Sequence, residues 1–503
     1  MAENLIETSP AINPERSSYR QIFKATSLFG GVQVFHILIG IVRVKFVAVL
    51  LGTTGVGLLG LFNAPLNLII SITGLGIAFS AVRDVSEAHA SGNLTKVSMV
   101  IRTLRRWSWF TGLAGAVITI SLAPILSQWT FGNKDYTWAF VWLSVTLLLQ
   151  AISKGQSAIL QGTRRLKDLA KSGVIGSSLG LIISIPLYYF FGLKGIVPAM
   201  ILSAINGLIL TWYFSRRVKI EDVEISYKQT FDQGIGMARL GIYMTIAGFV
   251  ASLSAYVLNA FISNRGGVEQ VGLYNAGWGV VGQYTGLIFA AMATDYFPRL
   301  SAIQSDNMKV KELVRQQGET ALLIMTPLLA LLIVTMPLVV RVLYTPSFLP
   351  VVMFANLTVL GMQFKAISWA MGYVYLAKGN GRLFMIMEIV AGAVILIMNL
   401  VFYYLFGLNG LGISFVITYF FGMILSYLVL RSKYDFGLPE KFFGRLLLLY
   451  VLTVISFLTV FITGSVLRYS AGIFVFIIAS IYSLAKINEL MDLKSYILIK
   501  LRR

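Results

Sequence analysis

The sequence predicts an all-α polytopic membrane protein. Two six-helix bundles are related by a pseudo-twofold axis along the membrane normal, and about two further helices follow, giving 12–14 spans. Three observations carry this. The 503 residues are 57% hydrophobic and 12% charged, with a mean hydropathy of +0.79; a soluble domain is about 45–50% apolar and about 25% charged. The apolar residues gather into runs of about 20 or more, the length that crosses the hydrocarbon. Short sequence words from the first half return in the second.

The runs lie near 25–51, 61–82, 107–130, 138–162, 172–191, 195–215, 237–264, 277–298, 319–341, 351–377, 383–406, 410–431, 443–466 and 469–486. The first twenty residues are polar, so the first run is expected to stay as an anchor rather than be cleaved. Orientation follows from the loops. With the N-terminus inside, the inner segments hold 32 of the 41 Lys and Arg residues. The outer segments hold five: Lys134, Lys194, Arg265, Arg341 and Arg468. Both termini are therefore expected to be cytoplasmic. The same asymmetry accounts for the net charge of +20 without a nucleic-acid partner. The absence of cysteine excludes disulfide and thiolate chemistry, and two histidines leave little scope for a metal site.

The repeat defines the organisation. GLFNA at 60–64 returns as GLYNA at 272–276, AIS at 151–153 as AIS at 366–368, and YYFFGLKG at 188–195 as YYLFGLNG at 403–410. Six helices per half is an even number, so both halves share one orientation. Parallel repeats of this kind usually meet at the substrate site. The expected parts are a cytoplasmic N-terminus (1–24), an N-lobe (25–215), a linker (216–236), a C-lobe (237–431), an extra hairpin (432–486) and a basic tail (487–503). The inner loops 83–106 and 299–319 and the tail read as basic surface helices for anionic lipid. Glycine strings such as GTTGVGLLG (52–60) and GNG (379–381) read as tight turns between helices, since no strand precedes them and no phosphate-loop lysine follows.

An ionisable group inside a membrane helix usually faces a bundle interior or a wet cavity. Lys154 lies eight residues from the inner end of its run, about 12 Å deep, and Lys365 twelve residues, about 18 Å deep. In the repeat register Lys365 aligns with Gln150, one turn from Lys154. Equivalent helices would then bring two lysines to one central cavity, the alternative being a stem that snorkels to the inner interface, which is harder from the depth of Lys365. Arg43 shares a face with His36 and Gly40 and is expected to join them, whereas Lys45 points elsewhere, toward the outer headgroups. Asn63, Asn67 and Gln283, with Asn259 and the tyrosines Tyr243, Tyr256 and Tyr284, are candidates for sugar contacts, and equally for helix–helix hydrogen bonds. The acids Glu388 and Asp295, together with His36, are candidates for ion coupling. Glu388 shares a face with Asn399, and Asp295 stands four residues before Arg299, where an ordinary ion pair also explains it. No catalytic residue and no metal ligand set is predicted. Cations exceed acids in the helices, and such a cavity suits an anion, phosphate above all.

The LLGLFNAPLNLI segment following GTTGVG, GLGI at 74–77 before a basic loop, QG at 161–162 followed by RR, and YFPRLS at 296–301 resemble the Wzx-type O-antigen and polysaccharide-unit flippases. These are relatives of the MATE multidrug exporters and the lipid II flippases. The resemblance covers residues 20–435. It implies an undecaprenyl-pyrophosphate-linked oligosaccharide moved from the inner to the outer leaflet of a bacterial inner membrane by alternating access. The pyrophosphate would meet cationic residues, for which Arg43, Lys154 and Lys365 are the matches by helix and face. It also implies coupling to a proton or sodium gradient, no bound cofactor, and membrane lipids and other glycan-assembly proteins as partners. The two helices after 440 depart from the usual twelve of Wzx-type members and resemble the fourteen of the lipid II flippases. A MATE-like exporter of small cationic compounds would need a dominant acidic cavity. A membrane glycosyltransferase would need a carboxylate cluster or a large outer loop. A non-transporting scaffold would need only the basic inner loops.

Overall fold

The computed structural model describes the backbone of residues 14–491, and the side chains of all these except 14–34, 239–240, 242–244, 247, 287, 290–295 and 490–491. Within this range thirteen α-helices follow one another: α1 (Pro14–Thr73), α2 (Ile77–Ala90), α3 (Leu94–Phe131), α4 (Thr137–Gly162), α5 (Leu166–Phe191), α6 (Ile196–Ser215), α7 (Tyr227–Gly266), α8 (Val268–Ala302), α9 (Asn307–Leu343), α10 (Val351–Ala377), α11 (Gly381–Tyr434), α12 (Glu440–Leu458) and α13 (Ser465–Met491). Nine stretches among the described residues are long and apolar enough to cross a membrane. Three of them hold two helical segments each, broken at Gly52, at Gly192–Gly195 and at Gly407. The chain is thus a multi-pass helical membrane protein.

Glycine sets the breaks. Gly52 at φ 64° and Gly407 at φ 59° divide α1 and α11, a conformation that costs a residue with a Cβ about 1–2 kcal/mol. The expected turn at 52–60 is confined to Gly52. Residues 53–60 are already helix, so GLFNA lies inside a span rather than opening one, and GLYNA likewise lies inside α8. The run expected at 61–82 also ends early, at Thr73, because Leu75 and Gly76 take positive φ and start α2 afresh. Asn380 caps α11, accepting a hydrogen bond from the Leu383 backbone N–H at 3.1 Å, so the expected turn at 379–381 is present.

The helices group into two compact units. The first comprises Met1–Val44, Ile72–Ser121 and Val141–Tyr243, and the second Lys45–Ser71, Leu122–Phe140 and Met244–Arg503. The first unit is built on a core of Ile77, Val85, Ile101, Leu104, Trp107 and Ile159. Its close contacts run through glycine: a Cβ on Gly155 would lie 2.2 Å from Ser108 Oγ, and one on Gly162 2.6 Å from Val85. The segment after α6, expected as a free linker, is tied to the start of α3. Arg102 pairs with Asp222 at 2.7 Å, Arg106 donates to the Ile225 carbonyl at 2.9 Å, and Thr95 donates to Glu221 at 2.7 Å. Two arginines of the expected lipid-binding loop are thereby occupied by protein.

In the second unit α10 packs on α8, α9 and α11, while α12 and α13 pack on α9. The last two helices are integral to it. Gln363 Nε2 donates to Thr326 Oγ1 at 2.7 Å and to Thr453 Oγ1 at 2.9 Å. Ser456 Oγ donates to the Ala330 carbonyl at 3.1 Å. Glu319, 3% exposed, pairs with Arg315 at 3.1 Å and with Arg445 at 2.5 Å. The basic tail from 492 onward lies outside the described residues.

Candidate functional site

Lys365 is the most elaborately held of the predicted cations. Helices α10 and α11 approach closely because Gly361 and Gly412 carry no side chain: a Cβ on Gly361 would stand 2.5 Å from the Phe415 ring, and one on Gly412 2.5 Å from Leu357 Cβ. Phe415 therefore sits over Gly361. One turn on, at i+4 on both helices, Tyr419 comes beside Lys365. From α8, Trp278 and Phe289 complete a box, eleven residues apart and so on one helix face. The Lys365 ammonium lies 5.5 Å from the Trp278, Phe289 and Tyr419 ring centres and 5.8 Å from Phe415. Ring faces attract a cation by about 0.5–2 kcal/mol each way of counting exposure. No hydrogen bond or ion pair to Lys365 is made among the described residues. The four rings surround the ammonium, and no counter-charge pairs with it among the described residues. The ring residues escaped sequence reasoning; their signal was the spacing, i+4 for Phe415 and Tyr419 and i+11 for Trp278 and Phe289.

Glu388 is half-buried and lies near Tyr373 and Tyr419. It borders the same aromatic cluster without pairing with Lys365. Asn399, expected to share its face, accepts a hydrogen bond from Ser414 Oγ at 2.7 Å across the Gly407 break. Asp295 lies outside the residues whose side chains are described, as does Tyr243.

Lys154 belongs to the first unit. It is exposed, with no hydrogen bond, ion pair or ring contact among the described residues. Trp138, Trp142 and Val145 form an exposed apolar stripe on α4, the surface a bilayer would cover. Lys154 stands about 120–180° around the helix from that stripe, at 3.6 residues per turn, so its surroundings open away from the lipid side. The repeat equates the two helices, yet the aromatic box exists only around Lys365.

His36 and Arg43 do share a face, and the reason lies on α5. Gly173 and Gly180, also seven residues apart, leave slots beside them. A Cβ on Gly173 would be 2.9 Å from His36 Nε2, and one on Gly180 3.5 Å from Arg43 Nη2. Lys45 instead donates to the Arg341 carbonyl at 3.1 Å and to the Tyr344 carbonyl, satisfying the exposed carbonyls that end α9.

The polar candidates divide. Asn63 Nδ2 donates to the Leu59 carbonyl of its own helix at 2.7 Å. Asn259 Oδ1 accepts from Asn275 at 3.0 Å, an interhelical bond. Asn67 and Gln283 are exposed, with no partner among the described residues. No group of three His, Asp or Glu side chains is placed to hold a metal ion among the described residues.

Comparison with known proteins adds the following. Residues 47–353, more than half of the chain, match the family described as polysaccharide biosynthesis protein. The lipid III flippases of Escherichia coli (strain K12) and Shigella flexneri are each 24% identical over 282 residues, 55% of this chain and 66% of theirs. In structure the chain is similar to an inward-facing MATE family multidrug resistance transporter of the MOP superfamily, with a TM-score of 0.67 and 16% identity, covering 80% of this chain and 94% of that one. It is also similar to the lipid II flippase MurJ in an inward closed conformation, with a TM-score of 0.66 and 14% identity, covering 92% of this chain and 100% of that one. At these identities the likeness is one of fold.

Proposed function

We propose that this chain, which belongs to the polysaccharide biosynthesis protein family, is a flippase for a polyprenyl-pyrophosphate-linked oligosaccharide, undecaprenyl pyrophosphate being the carrier. It moves that lipid from the inner to the outer leaflet of a bacterial inner membrane, with the basic loops on the cytoplasmic side. The observation that carries the reading is Lys365, a charged group deep in a membrane helix, boxed by four rings and paired with no carboxylate among the described residues. A pyrophosphate supplies the missing counter-charge, and charge-assisted bonds to it are worth about 1.5–3 kcal/mol each. Lys154 and Arg43 remain the further candidates for the pyrophosphate, and Asn67 and Gln283, exposed and without a partner among the described residues, the candidates for the glycan. The protein breaks no bond in this reading; it alternates access. Glu388, His36 and Asp295 remain its candidates for coupling to a proton or sodium gradient.

The second reading is a MATE-like exporter of small cationic compounds. The nearness of Glu388 to Tyr373 and Tyr419 favours it, because an acid beside an aromatic wall also suits an organic cation.

Purified protein in liposomes distinguishes the two. A fluorescent polyprenyl-pyrophosphate saccharide should exchange between leaflets, and Lys154→Ala with Lys365→Ala should slow exchange at least about tenfold, the worth of one lost charge-assisted contact. Exchange at the wild-type rate in the double variant sinks the anion argument. No exchange by wild type, with efflux of an organic cation that depends on Glu388, replaces the flippase with the exporter.

A further inference from the structure

Three arginines stand together at the start of α3, and two are occupied. Arg102 and Arg106 hold the segment after α6. Arg105 has no hydrogen bond or ion pair among the described residues, and its Nε is buried without a partner. Leaving such a group unsatisfied costs about 1–3 kcal/mol, more for a charged one.

Arg105 lines a cavity of about 450 Å³ within the first unit. The walls come from α3 (Ser108, Trp109), α4 (Leu148, Leu149, Ile152, Gly155, Gln156) and α6 (Leu208, Ile209, Trp212). Their position on each helix shows where the cavity opens. Arg105 heads an i+4 row continued by Trp109, Leu113 and Val117, all three exposed apolar residues. Leu149 continues the Trp138, Trp142 and Val145 stripe of α4. Ile209 and Trp212 are likewise exposed on α6. Large apolar residues exposed along three adjacent helices mark a surface covered by lipid, so the cavity opens to the bilayer.

Its depth follows from α3. Trp109 and Trp129, both exposed, are twenty residues apart, about 30 Å along a helix, which is the thickness of the hydrocarbon. Tryptophan collects at both of its edges. Arg105 is one turn beyond Trp109, at headgroup level on the side of the basic loops. Trp212 stands at the same end of α6, with the Arg216 guanidinium 5.0 Å from its ring centre. Gly155 keeps the floor low, because a Cβ there would meet Ser108 Oγ.

We propose that this cavity binds an anionic glycerophospholipid of the cytoplasmic leaflet, its phosphodiester paired with Arg105 and one acyl chain running between Trp109, Leu149 and Ile209. A phosphate matches the guanidinium fork in shape and charge, anionic lipid is concentrated in that leaflet, and only a lipid brings an apolar chain to the same place. The leaflet rests on the orientation proposed above; binding itself does not require the flippase reading, so the two fail separately.

The test is native mass spectrometry of the delipidated full chain offered phosphatidylglycerol and phosphatidylethanolamine at equal concentration. Wild type should retain phosphatidylglycerol preferentially. Arg105→Gln should lower that retention at least about fivefold, the worth of about 1 kcal/mol for one basic residue near anionic lipid. Arg105→Lys should restore part of it, and Arg83→Gln, an exposed arginine elsewhere on the same side, should change nothing. A diazirine-bearing phosphatidylglycerol should label peptides containing Trp109 and Leu208–Trp212 in wild type. Equal retention of the two lipids, equal retention by Arg105→Gln, or labelling confined to other peptides overturns the proposal. So does displacement of phosphatidylglycerol by a polyprenyl pyrophosphate at tenfold lower concentration, which would assign the cavity to the transported lipid.

Discussion

Glu319→Ala should destabilise the protein by about 3–5 kcal/mol, the usual cost of removing one partner from a buried ion pair. Glu319 is 3% exposed, accepts from Arg315 on its own helix and pairs with Arg445 on α12. Arg445 is itself largely buried, 16% exposed, so the substitution removes the one carboxylate that pairs with this guanidinium among the described residues, where water reaches it poorly. Glu319→Gln should recover little, because the amide keeps the shape and loses the charge. Thermal unfolding in detergent provides the measurement, with limited proteolysis between α11 and α12 to show whether the last two helices detach first. An Ala variant that melts as wild type would mean that the arginines reach water by a small rotation.

The second large effect is expected at Gly272. A Cβ there would lie 2.0 Å from the Thr53 carbonyl oxygen and 3.1 Å from the Gly57 backbone nitrogen. Both are backbone atoms, so no side chain can move aside, and α8 must separate from the second segment of α1. Gly272→Val should therefore cost about 3 kcal/mol, the upper end of ordinary overpacking. Gly282, ten residues along the same helix, has open space where its Cβ would project. Gly282→Ala should be neutral or stabilising by up to about 1 kcal/mol, since Ala is the better helix former. Melting temperatures of the two variants separate the explanations. Loss of stability at both positions would point to helix flexibility rather than close approach.

Transport should respond differently from stability at Lys365. Its substitution removes a charge that no carboxylate among the described residues pairs with, so the fold should lose little while exchange of an anionic substrate falls. Glu319 and Gly272 should behave in the opposite way, with transport lost only as folded protein is lost.

Fold class and the ends of the runs at 138–162 and 351–377 follow from the sequence alone. The bilayer demands about twenty apolar residues per span and penalises each charge within them, so α4 and α10 end at Gly162 and Ala377 as their composition requires. The seven-residue spacing of His36 and Arg43 also put them on one face before any coordinates. The tertiary structure decided what meets what. Nothing local to the sequence says that the stretch 53–57 is helix packed on α8 rather than a turn, because glycine suits both and only the facing backbone selects. Nor does it say that α12 and α13 belong to the second unit, which rests on Glu319, Gln363 and Ser456 reaching across helices. Arg102, Arg105 and Arg106 are chemically alike in the chain, yet two of them hold protein and one faces a cavity. Lys154 and Lys365 look equivalent by repeat, yet Gly361 and Gly412 bring rings to only one of them. Spacing along a helix determines a face; which neighbour covers that face depends on contacts made hundreds of residues away.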